Sequence, residues 1–168
     1  PNAGPRALVA LRRRGKLHTL VTQNVDGLHQ DAGTNPEKVV EIHGTMREVM
    51  CMSCGDRAPM EVAFERVRAG EADPACLSCG GILKSATISF GQGLVAEDLA
   101  RSQQAALECD LMFAIGTTLA VFPIAAVVPV AHRAGASVVT LNAEATEMDD
   151  LADVVLRGQI GEILPALI

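Results

Sequence analysis

Asp110-Leu111-Met112-Phe113-Ala114-Ile115-Gly116-Thr117-Thr118 is an apolar run that closes on a glycine and two hydroxyl residues. Five consecutive apolar residues predict a buried strand over 110–115, the kind that parallel sheets contain. A helical pattern over 120–134 follows. The amides of Gly116, Thr117 and Thr118 therefore stand at a helix N-terminus, where they either hold a phosphate or only cap the helix. Three residues do not decide between the two.

Working outward, Ala86 to Phe90, Ser137 to Leu141 and Asp153 to Leu156 are also strand-like, and they alternate with helical patterns at 96–108, 120–134 and 160–168. This alternation implies an α/β fold, a doubly wound parallel sheet with helices on both faces. Upstream, Pro5 to Lys16 reads as an amphipathic helix stopped at Gly15. Leu17 to Thr22 is a strand that ends on Gln23-Asn24-Val25-Asp26 and then Gly27. Val39 to Ile42 is another, leading into His43 and Gly44. Polar residues at carboxyl strand ends lie where open α/β sheets bind ligands. Each feature also has a plain reading: the tetrad as turn chemistry, His43 as a core histidine. The nearest approach to a glycine fingerprint, Gly91-x-Gly93-x-x-Ala96, lacks an acidic strand end about 20 residues on.

Residues 47–83 change character, with Cys, Met, Gly, Pro and charges in place of periodic apolar runs, apart from one helix over 60–69. They read as an inserted module. Cys51-x2-Cys54 and Cys76-x2-Cys79, separated by 21 residues, bring four thiolates round one ion, as in a four-cysteine zinc ribbon. Four thiolates leave no open position, so this zinc is structural. The competing reading, a redox dithiol, lacks the βαβ context of a thioredoxin motif. Cys109 reads as a small core residue.

The 168 residues are 49% hydrophobic but only 2% aromatic, which suits layers packed from Val, Leu, Ile, Ala and Met and argues against all-β architectures. A net charge of −6 gives no electrostatic reason to bind nucleic acid or an anionic membrane, and fits a cationic, Lys-bearing ligand better. The longest apolar stretch, Leu119 to Ala131, contains Pro123 and Pro129 and falls short of the roughly 20 residues of a membrane span. The default location is the cytoplasm.

Thr22-Gln23-Asn24-Val25-Asp26-Gly27-Leu28-His29, Glu41-Ile42-His43-Gly44-Thr45 and the two cysteine pairs, taken in order, resemble the motif set of the sirtuins, in their bacterial form. Phe90-Gly91-Gln92, Gly116-Thr117-Thr118-Leu119, Leu141-Asn142-Ala143-Glu144 and Gly158-Gln159-Ile160-Gly161-Glu162-Ile163-Leu164-Pro165 continue the match in family order. The resemblance implies a Rossmann-like NAD-binding domain from residues 1–46 and 84–168, with a zinc-binding module at 47–83. It also implies an NAD-dependent protein lysine deacylase that moves the acyl group to ADP-ribose and releases nicotinamide.

By the same resemblance, His43 is the general base, a role that suits imidazole because it titrates near neutrality. Gln23 faces the nicotinamide ribose, while Asn24, Val25 and Asp26 shape the nicotinamide pocket, Asp26 reaching the carboxamide and Asn24, the second catalytic residue that the resemblance implies, holding a water. Gly116, Thr117 and Thr118 contact phosphate and ribose. Asn142, Ala143 and Glu144 contact the adenosine ribose, and Ile160 the adenine. An acyl-lysine peptide adds as a strand near Ile88, Phe90 and Gly91, between the module and the larger domain.

Departures from the family pattern are Ser85 for a usual Pro, Ser89 for a bulky residue and Gln92 for Glu. Nothing matches the family's first Gly-Ala-Gly-Ile-Ser segment, so the chain is expected to be truncated, cleaved or partly ordered, and weak in NAD binding by itself. ADP-ribosyl transfer or NAD hydrolysis is the alternative chemistry of the same pocket. A catalytically silent NAD-sensing domain is the alternative outside enzymes.

Overall fold

The structure, a computed structural model, describes residues 3–168. Helix α1 (Ala3–Arg13), strand β1 (Leu20–Thr22), α2 (Leu28–Asp31), β2 (Val39–Glu41), β3 (Gly44–Cys51), β4 (Arg57–Pro59) and α3 (Met60–Arg68) come first. Then follow β5 (Leu83–Thr87), α4 (Ala96–Glu108), β6 (Leu111–Ile115), α5 (Val127–Arg133), β7 (Ser137–Asn142), β8 (Val154–Arg157) and α6 (Ile160–Leu167). Residues up to Val21, Leu28–Val40 and Val95–Ile168 make one unit, and Thr22–Gly27 with Glu41–Leu94 make a second. The cysteine module of 47–83 lies wholly inside the second, which also holds the tetrad and His43.

In the first unit β6, β7 and β8 form a parallel sheet in that order, with Ile115 opposite Leu141 and Leu141 opposite Leu156. Side chains along a strand alternate between faces, and β6 is apolar on both. Phe113 and Ile115 join Leu141 in a core with Ala7 and Leu8 of α1 and Leu164 of α6. Met112 and Ala114 join Val138 in an opposite core with Ala125 and Val128. Helices therefore cover both faces, the doubly wound arrangement expected from the uninterrupted apolar run. Ala106, Ala131 and Ala136 are small enough to let α4 pack closely on α5.

Helix α1 ends as expected, with the amides of Gly15 and Lys16 returning to the carbonyls of Arg12 and Leu11 at 2.8 and 3.1 Å. The helix expected over 120–134 starts only at Val127, after a 3-10 turn at Ile124–Ala126. That start puts Pro129 in the first turn, where its missing N–H leaves no intrahelical bond unmade.

The second unit corrects one expectation outright. The strand foreseen at Ala86 to Phe90 as a member of the parallel sheet is β5, shifted to Leu83–Thr87, and it pairs antiparallel with β3. Its sequence, Leu-Lys-Ser-Ala-Thr, buries only Ala86, so it suits a half-covered antiparallel edge and not a sheet buried on both faces. Strands β3 and β4 were not foreseen. They form the rest of this sheet, ordered β4-β3-β5. Between Gly44 and Val49 the β3 register slips: five steps along β3 face two along β5, from Thr87 to Ser85. A bulge of this kind hides the alternation that would reveal the strand.

Among the described residues no helix is long and apolar enough to cross a membrane. Leu164 is 1% exposed in the α1–α6 core, whereas Leu167 is 53% exposed. Leu164→Ala should cost about 2–5 kcal/mol and Leu167→Ala under about 0.5 kcal/mol. The urea midpoints of the two variants check this.

Candidate functional site

The polar tetrad after β1 is held by its backbone. Ile42 and Met46 N–H groups donate to the carbonyls of Thr22 and Val25 at 3.1 and 2.9 Å. Arg47 donates from Nε and Nη2 to the Asp26 carbonyl at 3.2 and 3.1 Å. His43 Nδ1 lies 3.3 Å from the Gln23 carbonyl oxygen, and the Asn24 amide donates to Thr22 Oγ1 at 3.1 Å. Residues 42–47 thus meet the carbonyls of Thr22, Gln23, Val25 and Asp26 in turn.

A carbonyl oxygen only accepts, so His43 Nδ1 carries the proton in this contact. In the neutral ring Nε2 then carries the lone pair, and a backbone atom orients the imidazole. The His43 side chain is half-buried, Asn24 is exposed and Asp26 is half-buried.

The His43 carbonyl in turn accepts from the Ile88 amide at 2.8 Å. Ile88, Phe90 and Gly91 follow β5, an edge strand. The Phe90 side chain is fully exposed, and Gln92 closes the turn, its Oε1 accepting from the Ser89 amide at 2.8 Å.

The four cysteines meet as their spacing requires. Their sulfurs lie within 4.8 Å of one another, with Cys51 to Cys79 at 3.5 Å and Cys54 to Cys76 at 3.7 Å. Zinc–sulfur bonds of about 2.3 Å in a tetrahedron imply sulfur edges of about 3.8 Å. The donor set therefore fits zinc. Backbone N–H groups of Cys54 and Ser53 hold the Cys51 thiol down to about 6, ready to ligate. At Cys54 the Asp56 amide favours the thiolate, but the sulfurs of Cys79 and Cys51 outweigh it and push the thiol up to about 12. Four thiolates this close need a dication between them.

In the first unit the other expected residues gather at the carboxyl ends of the parallel strands. Gly116 ends β6, and its amide donates to the Leu141 carbonyl at 2.9 Å. The Gly158 amide donates to the Asn142 carbonyl at 3.3 Å. A Cβ on Gly116, whose φ is +61°, would come within 2.6 Å of Ile160 Cδ1. Only a glycine leaves the room that brings Ile160 over this turn.

Thr117 Oγ1 accepts from the Leu119 amide at 3.1 Å, and the Thr118 carbonyl accepts from Glu147 N–H at 3.0 Å. Asn142 Nδ2 donates to the Glu144 carbonyl at 3.0 Å, so Asn142, Ala143 and Glu144 form one turn, the last two exposed. Open parallel sheets bind their ligands beyond the carboxyl ends of the strands, which is where these residues stand.

Sequence reasoning missed two contributors. Arg47 carried no signal, being one exposed charge in a stretch without periodicity. Asp149 is the other: its carboxylate accepts from Thr146 N–H and Oγ1 at 2.9 and 2.8 Å and from Thr140 Oγ1 at 3.2 Å, and it pairs with Arg157. It closes the loop that begins at Asn142. The Thr-x-x-Asp spacing of a capped turn was its one available trace.

A model of the Sir2 family matches residues 1–123. The "NAD-dependent protein deacetylase 2" of Streptomyces coelicolor is 48% identical over 168 residues, covering 100% of this chain and 70% of that protein. "NAD-dependent protein deacetylase 1" of Bradyrhizobium diazoefficiens is 43% identical over 164 residues, 98% of this chain and 64% of that one. The chain thus spans about two thirds of the length of these curated relatives. Among solved structures, "Sir2-p53 peptide-NAD+" superposes with a TM-score of 0.92 at 28% identity, over 99% of this chain and 68% of the other. "Sir2 bound to acetylated peptide" does so with 0.92 at 27% identity, over 99% and 69%.

Zinc binding couples to folding because the four-thiolate site exists only in the folded module. The protein should carry about one zinc per chain. Chelation or Cys76→Ser should lower its melting temperature, and a metal-free protein that melts unchanged would refute the site.

Proposed function

Since this chain belongs to the Sir2 family, we propose that it removes acyl groups, with acetyl as the default, from protein lysines at the expense of NAD. The observation that carries the proposal is His43, whose Nδ1 sits 3.3 Å from the Gln23 carbonyl, a contact in which Nε2 of the neutral ring is the proton acceptor. NAD, when bound, supplies an electrophilic ribose carbon with nicotinamide as leaving group, and a ribose hydroxyl as acyl acceptor.

The chain's own residues orient, exclude and move protons around that chemistry. His43 Nε2 takes the ribose hydroxyl proton, as general bases do when the ring is fixed by its other nitrogen. Gln23 faces the nicotinamide ribose, and Asn24, Val25 and Asp26 wall the nicotinamide pocket. The anchored carbonyls of Gln23, Val25 and Asp26 and the anchored amide of Asn24 support this role, since a pocket must hold its shape while ligands come and go. Gly116, Thr117 and Thr118 take the phosphates and nearby ribose, Asn142, Ala143 and Glu144 the adenosine ribose, and Ile160 the adenine.

The acyl-lysine substrate pairs as a strand beside Ile88, Phe90 and Gly91. Support comes from the edge position of β5 and the full exposure of Phe90, and from neighbours whose descriptions name an acetylated peptide and NAD. In this reading residues 1–46 and 84–168 serve NAD, and 47–83 serve zinc. The reaction runs in the cytoplasm, where thiols keep a zinc ion and do not pair as disulfides.

In the full-length protein His43→Ala should slow deacetylation on the order of 10²-fold or more. Nicotinamide exchange should survive in part, because the base acts after the ribosyl bond has broken. Near-normal deacetylation by the variant would remove His43 from this role. Mass spectrometry of the products separates O-acyl-ADP-ribose from ADP-ribose attached to protein, the mark of the alternative chemistry.

A further inference from the structure

The bulge in β3 does more than interrupt a ladder. It turns residues 45–48 out of register with β5, and a bulge beside a functional site commonly re-aims a side chain. Here that side chain is Arg47. Its guanidinium puts two nitrogens, Nε and Nη2, on one acceptor, the Asp26 carbonyl, at 3.2 and 3.1 Å. The adjoining Met46 amide holds the preceding carbonyl, that of Val25, at 2.9 Å.

Gly27 fits this arrangement closely. It is buried with φ of +69°, and a Cβ there would lie 2.0 Å from Arg47 Nε and 2.6 Å from Arg47 Cζ. Any side chain at 27 would push the guanidinium off its carbonyl. The forked donor of arginine meets this geometry from two nitrogens at once, whereas a lysine ammonium is a single point on a flexible stem.

We propose that Arg47 is a positioning residue that sets the affinity for nicotinamide by clasping the Asp26 carbonyl and so fixing the Asn24–Asp26 wall. The proposal rests on the reading of that wall as the nicotinamide pocket. An exposed residue outside the pocket would then tune how strongly the released product inhibits. The effect falls on nicotinamide and on the KM for NAD, because the clasp touches no reacting atom. It leaves kcat and the zinc module in place.

The experiment measures half-inhibition by nicotinamide, together with kcat, KM for NAD, zinc content and melting temperature, in the full-length protein and its Arg47→Ala, Arg47→Lys and Asp26→Asn variants. Arg47→Ala should raise the half-inhibiting nicotinamide concentration about 3- to 10-fold, the scale of one charge-assisted hydrogen-bond contact partly exposed to water. It should raise the KM for NAD in the same direction, with kcat within about twofold and zinc retained. Arg47→Lys should recover less than half of the change on a logarithmic scale.

Full recovery by lysine would overturn the clasp, since charge alone would then suffice. Unchanged nicotinamide inhibition in Arg47→Ala, with Asp26→Asn strongly altered, would overturn the role of Arg47 and leave the pocket standing. If Asp26→Asn is unaltered as well, the pocket reading itself falls, and the proposal with it. A loss of zinc or a large drop in melting temperature in Arg47→Ala would show a general structural role and would also overturn the proposal.

Discussion

Backbone carbonyls cannot be left unpaired where a chain turns away from water, and the loop from Thr22 to Asp26 answers that constraint with residues 42–47. The same few residues form the β2–β3 corner, where Ile42 is completely buried. Strand β3 is therefore shared. Its first half, loosened by the bulge, holds the polar loop and His43, while its second half pairs with β4 and β5 and ends on Cys51. Ordering the cysteine site fixes one end of a strand whose other end directly follows the candidate base. A zinc with no open coordination position can in this way matter to catalysis without touching a substrate, because the strand it anchors is one element and not two.

How far these features could be read from the sequence follows from the period of each element. The run at 111–115 is apolar at every position, so it announced a strand covered on both faces, and the structure packs Phe113 and Met112 into opposite cores. The cysteine pairs were legible because thiolate spacing is a direct chemical constraint. Strand β3 was illegible: Met46, Arg47 and Glu48 fall in and around the bulge, and only Thr45, Val49 and Cys51 point inward. Without a two-residue period there is no strand signal. Strand β5 misled for a related reason, since its neighbours along the chain suggested a parallel partner while its Lys84 and Ser85 belong to a half-exposed antiparallel edge. Arg47 was beyond reach, because a single exposed arginine is legible only when the carbonyl it meets is known.

The residues expected to meet the adenosine half are organised by a different rule. Gly116, Asn142 and Gly158 are neighbours because three parallel strands end side by side, and their register fixes the spacing before any side chain is chosen. What the strands do not fix is the loop beyond Asn142, and there Asp149 takes over. The amide of Thr146, opposed by burial and helped by the Thr146 hydroxyl, Arg157 and Thr140, holds its carboxyl down to about 2. A carboxyl held below its ordinary value of about 3.9 stabilises the fold above that value and loses the contribution only as pH falls toward 2. The loop's anchor therefore stays ionised across the neutral range. A change of rate with pH near neutrality must arise elsewhere than at Asp149.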